Sequence, residues 1–275
     1  MSDFTSPWQG YDFSGLDTAL SRIRDITRPA MEALQNIQSA LRPIVEAIEQ
    51  YKPKVTEIGK ALLHATRPLS AIEKMGDAQF VCWDYMTEDF VDAVVDADNV
   101  NKTLREHMLR DRFQSVNHTI DNTISSPTMH KHKRLYNQAV EAFRNSHNDL
   151  AVTGFTSVFD GLLADTSGNS TSRLVPRINV IKQKLENDEL LDHDEYAMLT
   201  LAMTLERTLD SFSASSDFKG KEPKGLNRHW IAHGRSTRKK TKLDCVKMIN
   251  LIYGLLLIEE LGSSVKTESS CEQGE

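Results

Sequence analysis

The chain has 275 residues with 39 % hydrophobic and 26 % charged side chains, which is enough apolar material for a buried core and excludes a disordered polyelectrolyte. A formal net charge of −6 excludes a protein that coats nucleic acid through overall basicity. Cys82, Cys245 and Cys271 lie far apart with no CxxC pair, which excludes a disulfide framework and a zinc-finger spacing and fits a reducing cytoplasm.

Met1 to Gly15 lacks a basic start and an apolar stretch, so no signal peptide is expected. From Leu16 to Leu62 apolar residues recur in steps of four and three: Leu16, Leu20, Ile23, then Leu34, Ile37, Leu41, Ile44, Ile48. That spacing predicts a coiled-coil-like seam, in cis or against a second copy or a protein partner. Pro29, Pro43 and Pro53 interrupt it, and an interior proline costs about 3 kcal/mol, so kinked segments are expected rather than one rod. Arg28-Pro29-Ala30-Met31-Glu32-Ala33-Leu34 recurs as Arg42-Pro43-Ile44-Val45-Glu46-Ala47-Ile48, which places each proline at the same point of a fresh segment.

An aromatic stretch follows, with Phe80, Trp83, Tyr85 and Phe90, and Thr87-Glu88-Asp89 reads as a helix start. Asn99 to Phe113 reads as one helix, and His130-Lys131-His132 as a connection. Further helices are predicted over 133–147, 149–166, 174–187, 194–212 and 241–261, the last capped by Gly262 and followed by a disordered polar tail. Its apolar run, Val246 to Ile258, is broken by Lys247 and Asn250 and falls short of the ~20 residues a membrane span needs. The expected class is all-α, a succession of helices behind an amphipathic, proline-kinked heptad region. The expected divisions are 1–75, 76–263 and 264–275, in a cytoplasmic protein without a membrane partner.

Charge concentrates in one place. Residues 219–242 hold nine Lys or Arg against one acid, Glu222, a local net of +8. Such an island in an acidic chain attracts phosphate backbones. Within it lies Leu226-Asn227-Arg228-His229-Trp230-Ile231-Ala232-His233-Gly234. An arginine, a polar follower, three more residues and a histidine resemble the signature of the HEPN family of helical RNA-cutting and RNA-binding domains. The Asn-Arg-His and His-Gly flanks, Val158 to Asp165 upstream and the segment from Gln79 to Val95 are similar to one branch, so the likeness spans roughly 77–262. The family pattern continues with a tyrosine and a glycine where this chain has Lys239 and Lys240.

The resemblance implies a HEPN-like antiparallel helical bundle, a homodimer with both motifs in one groove, and a metal-independent endoribonuclease in a toxin or phage-defence (abortive-infection) setting. It implies catalysis by Arg228 and His233, with Asn227, His229, Arg235, Arg238, Lys239 and Lys240 contacting RNA, and no metal or cofactor. The residue types suit that chemistry. A histidine titrates near neutral pH and can move the proton of a 2′-hydroxyl or of a leaving oxygen, while an arginine can clamp the phosphate. Cleavage would leave a 2′,3′-cyclic phosphate. On a regular helix a five-residue step turns about 140° past one revolution, so His229 and His233 share a face and Arg228 does not. Asp160 is a candidate partner for Arg228. Three other readings stay open: a non-catalytic RNA-binding or dimerisation adaptor, RNA or nucleotide binding without turnover, and zinc held by His229, His233, His130 and His132.

Overall fold

The computed structural model describes residues 57–83, 87–168, 176–180, 195–214 and 218–271, and all regular structure among them is helical. The heptad seam from Leu16 to Val55 and most of the expected 174–187 helix lie outside the described residues, although 176–180 is a helical turn. No helix among the described residues is long and apolar enough to cross a membrane.

The first described helix, α1 (Glu57–Asp77), carries Pro68 inside it and buries Ala71, Ile72 and Met75. It packs on α2 (Glu88–Val95) and α7 (Glu195–Ser213). Arg207 of α7 ties the pair by reaching Glu73 at 2.8 Å and Asp77 at 3.0 Å. The domain boundary expected between residues 75 and 76 therefore falls inside a core helix. The reason is that α1 continues the heptad pattern while turning its last two turns into the same core as the rest.

Thr87 caps α2 by accepting a bond from the Phe90 amide at 3.3 Å, and Asn99 caps α3 (Val100–Arg110) by accepting from Lys102 at 3.1 Å. Side-chain oxygens here satisfy amides that the first helical turn leaves without partners. The helix expected over Asn99 to Phe113 stops early because Arg112 and Phe113 turn left-handed (φ 54° and 61°), and α4 (Gln114–Ser125) begins there. A short 3₁₀ turn, Pro127–Met129, leads to α5 (Lys133–Arg144) and α6 (Asn148–Ser167).

Two helices form the centre. α6 packs against α5 and against α9 (Lys242–Cys271), and α9 also touches α3, α4 and α7. From Val246 to Ile258 every residue of α9 is buried, which is the pattern of a helix covered all round. Edge-on and tilted ring pairs knit the layers, Phe159 to Phe212 at 5.1 Å and Tyr136 to Phe155 at 5.5 Å. α9 passes Gly262 and ends at Cys271, so Gly262 is not a cap. One glycine costs a helix only about 1 kcal/mol and does not stop it alone.

After α1 the backbone bonds back onto the helix as far as Phe80, whose amide donates to the Met75 carbonyl at 2.9 Å, and Val81 and Cys82 then run through the core. Side chains satisfy their backbone: Thr204 accepts from the Cys82 amide at 3.1 Å, and Asn250 donates to the Val81 carbonyl at 3.0 Å.

Candidate functional site

The motif forms a single short helix, α8 (Arg228–Ala232), held against α6 and α7. Asn227 caps its start, its Oδ1 accepting from the Trp230 amide at 3.1 Å while its amide donates to the Ala214 carbonyl at 2.9 Å. Gly234 ends it with φ 65°, a left-handed conformation that glycine adopts without steric cost. There the Gly234 amide bonds the Ile231 carbonyl at 3.0 Å and the Arg235 amide bonds Trp230 at 2.8 Å, a Schellman closure. Upstream, the Gln79 side chain holds the backbone of Leu226 like a strand partner. Its Oε1 accepts from the Leu226 amide at 2.5 Å and its Nε2 donates to the Leu226 carbonyl at 2.7 Å.

Helical geometry separates the two expected catalytic residues, as their spacing requires. Arg228 turns onto α6, where Nε lies 3.0 Å from both oxygens of Asp160 and Nη2 lies 2.8 Å from Oδ2. The suggested Asp160 partner is thus the observed one. His229 and His233 instead share a face, with ring centroids 4.6 Å apart at 72°. His233 is exposed and His229 half-buried.

Phe218 joins this pair from outside the motif. Its ring stacks on His229 at 4.4 Å and 5°, meets Trp230 at 5.4 Å and His233 at 5.6 Å, and lies beneath the Arg235 guanidinium at 4.8 Å. Its backbone is left-handed (φ 58°), unusual for a bulky residue.

The basic island is organised by acids. Glu222 accepts from the backbone amides of Thr237 at 2.8 Å and Arg238 at 3.0 Å, from the Ser236 hydroxyl, and from Lys240 Nζ at 3.4 Å. Burial pushes the Glu222 carboxyl up, but these bonds and the Lys240 charge outweigh it and hold it at about 2. Asp244 takes both terminal nitrogens of Arg238 at 2.9 and 3.1 Å. It also closes a reciprocal cap with Thr241: the Asp244 carboxylate accepts from the Thr241 amide at 2.8 Å, and the Thr241 hydroxyl accepts from the Asp244 amide at 3.2 Å. Burial pushes the Asp244 carboxyl up, and Arg238 with Thr241 brings it net below its usual range.

Three of the expected substrate contacts are therefore engaged within the chain. Asn227 is a buried cap with both side-chain ends used, Arg238 is paired with Asp244, and Lys240 is buried against Glu222 and Ser236. Each residue type reads as a phosphate ligand in sequence, and each is engaged within the chain, by partners that run from the Trp230 amide three residues beyond Asn227 to Glu222, 18 residues before Lys240. His229, Arg235 and the exposed Lys239 remain at the surface around the motif. Phe218 and Asp244 were missed. Phe218 has no sequence signal, whereas Thr241-x-x-Asp244 is a recognisable capping pattern.

Among the described residues no group of three His, Cys, Asp or Glu side chains is placed to hold a metal. His132 instead meets Asp165 at 3.1 Å. Comparison of the chain with protein-family models, curated proteins and solved structures finds no match.

Proposed function

We propose that this chain is an endoribonuclease of the HEPN kind, cutting RNA without a metal ion and leaving 2′,3′-cyclic phosphate ends. The observation that carries the reading is the imidazole pair on α8 and its C-cap, His229 and His233 at 4.6 Å, one residue and five residues beyond an arginine and within a basic segment. A histidine changes charge between pH 5 and 8, which suits transfer of the 2′-hydroxyl proton and protonation of the leaving oxygen. Arg228, side-on to Asp160 through Nε and Nη2, offers its Nη1 edge as the phosphate clamp. Arg235, His229 and Lys239 extend the contact to RNA.

In this reading the fold is a HEPN-like antiparallel bundle that acts as a homodimer, because Arg228 and His233 of one chain are engaged by different elements and a second copy completes the groove. The N-terminal heptads supply a contact to the second copy or to a protein partner, and the setting is toxin-like or phage defence in a cytoplasm. One observation favours a second reading, RNA binding or dimerisation without turnover: the Asp160 carboxylate already neutralises Arg228.

The test is a time course on total RNA in excess EDTA with wild-type protein, Arg228→Ala and His233→Ala. Cleavage by wild type alone, with cyclic phosphate ends, supports the nuclease. No cleavage, or equal cleavage by all three, removes it and leaves the binding module.

A further inference from the structure

The resemblance assigns one histidine to catalysis, but α8 and its C-cap carry two, His229 and His233, and a third ring distinguishes them. His229 and His233 stand side by side, their ring centroids 4.6 Å apart and their planes at 72°. One protonated and one neutral imidazole is the state needed to donate a proton and accept another in one turnover.

The surroundings of the two rings differ. His229 lies flat on Phe218, with centroids 4.4 Å apart and planes 5° from parallel. The face of an aromatic ring carries negative potential and favours a cation laid on it. His233 stands across the same ring at 5.6 Å and 77°, without that overlap. Phe218 keeps a left-handed backbone, a conformation unfavourable for a bulky non-glycine residue. Strain of that kind persists where surrounding contacts hold it, and here the contacts are His229, Trp230, His233 and Arg235.

We infer that His229 and His233 are a divided acid–base pair, with His229 as the acid, His233 as the base, and Phe218 as the positioning residue that fixes the His229 ring. The inference rests on the RNA-cleavage reading and deepens it. Neutral His233 takes the proton of the 2′-hydroxyl as the O2′–P bond forms. The P–O5′ bond breaks as protonated His229 gives its proton to O5′. The products are a 2′,3′-cyclic phosphate and a 5′-hydroxyl. The pair ends with the same proton count, its members having exchanged states, and no other reactant is consumed.

The test uses the full chain and an oligoribonucleotide spanning a linkage that the wild type cuts in total RNA. A second substrate carries sulfur in place of the bridging 5′-oxygen, because a thiolate departs without protonation. His229→Ala is expected to cut the oxygen substrate at least ~100-fold slower than wild type, the typical contribution of a general acid. On the sulfur substrate it is expected to come within about tenfold of wild type, a rescue that also shows the variant is folded. His233→Ala should be slow on both. Phe218→Leu should follow His229→Ala in a milder form, and Phe218→Tyr should keep the wild-type rate. Equal impairment of His229→Ala on both substrates, or none on either, overturns the acid assignment while the nuclease stands. A Phe218→Leu protein as fast as wild type on oxygen overturns the positioning role. A wild type that cuts nothing in total RNA overturns the nuclease reading and this inference with it.

Discussion

The guanidinium of Arg228 meets the Asp160 carboxylate side-on, with Nε 3.0 Å from both oxygens and Nη2 2.8 Å from one, so the motif arginine is tied to α6 across 68 residues. Both side chains are about three-quarters covered, at 24 % and 25 % exposure, where a two-point charged contact is stronger than a surface pair. Asp160→Ala is expected to cost about 2 kcal/mol in urea denaturation, mostly from leaving the arginine without its acceptor. In a double-mutant cycle with Arg228→Ala the two losses should fall short of additivity by about 1 kcal/mol or more. Strict additivity would mean that the contact contributes nothing to the fold.

Glu222 links acid sensitivity to the island. Its carboxyl stands at about 2 in the folded chain against 4.5 as the unperturbed value. A carboxyl lowered on folding leaves the unfolded chain binding more protons, so its stabilisation is complete above 4.5 and is lost as pH falls through about 2. The wild type should exceed Glu222→Gln by on the order of 2 kcal/mol at pH 7, with the gap narrowing between pH 4 and pH 2. Asp244, also net lowered, gives the wild type a loss of the same sign, so the difference between the two proteins is the quantity to follow. A gap that stays constant with pH would assign the effect to shape rather than charge.

These two contacts mark where sequence reasoning works and where it stops. The caps at Thr87 and Asn99 and the apolar runs of α6, α7 and α9 are legible because they depend on neighbours within a turn or two. The shared face of His229 and His233 follows from helical pitch alone. The island misleads for the opposite reason. Counting charges shows nine cations, but Arg228, Arg238 and Lys240 are paired with Asp160, Asp244 and Glu222, and only the first of those pairings was suggested by the sequence. Phe218 reaches the histidines through a loop closure that no periodicity encodes. The left-handed residues Arg112 and Phe113 split a run that reads as one helix, since their side chains carry no glycine-like warning.

Close approach at Gly225 gives a prediction with its own control. A Cβ there would lie 2.4 Å from Gln79 Oε1 and 2.9 Å from its Cδ. The amide of Gln79 cannot swing aside without breaking its two bonds to Leu226, at 2.5 and 2.7 Å. Gly225→Ala is expected to cost about 2 kcal/mol and Gln79→Ala a similar amount through the lost bonds. The double variant should cost less than the sum, because truncating Gln79 removes the obstacle. Thermal melts of the four proteins measure this. A sum that is met or exceeded would show that the two positions do not meet.

The placement of α1 predicts where the folded unit can be cut. Ala71, Ile72 and Met75 are fully buried, and Arg207 draws both its acidic partners from the same helix. A chain that begins at residue 76 loses these contacts and exposes the facing side of α7. Removing a large buried aliphatic side chain costs about 2–5 kcal/mol, and a domain has only about 5–15 kcal/mol in total, so that chain should be unfolded or expanded. A chain that begins at residue 57 keeps Glu57–Asp77 with these contacts and should melt cooperatively. Circular dichroism with thermal melting separates the two. A cooperative transition in the shorter chain would show that α1 is only an attachment to the core.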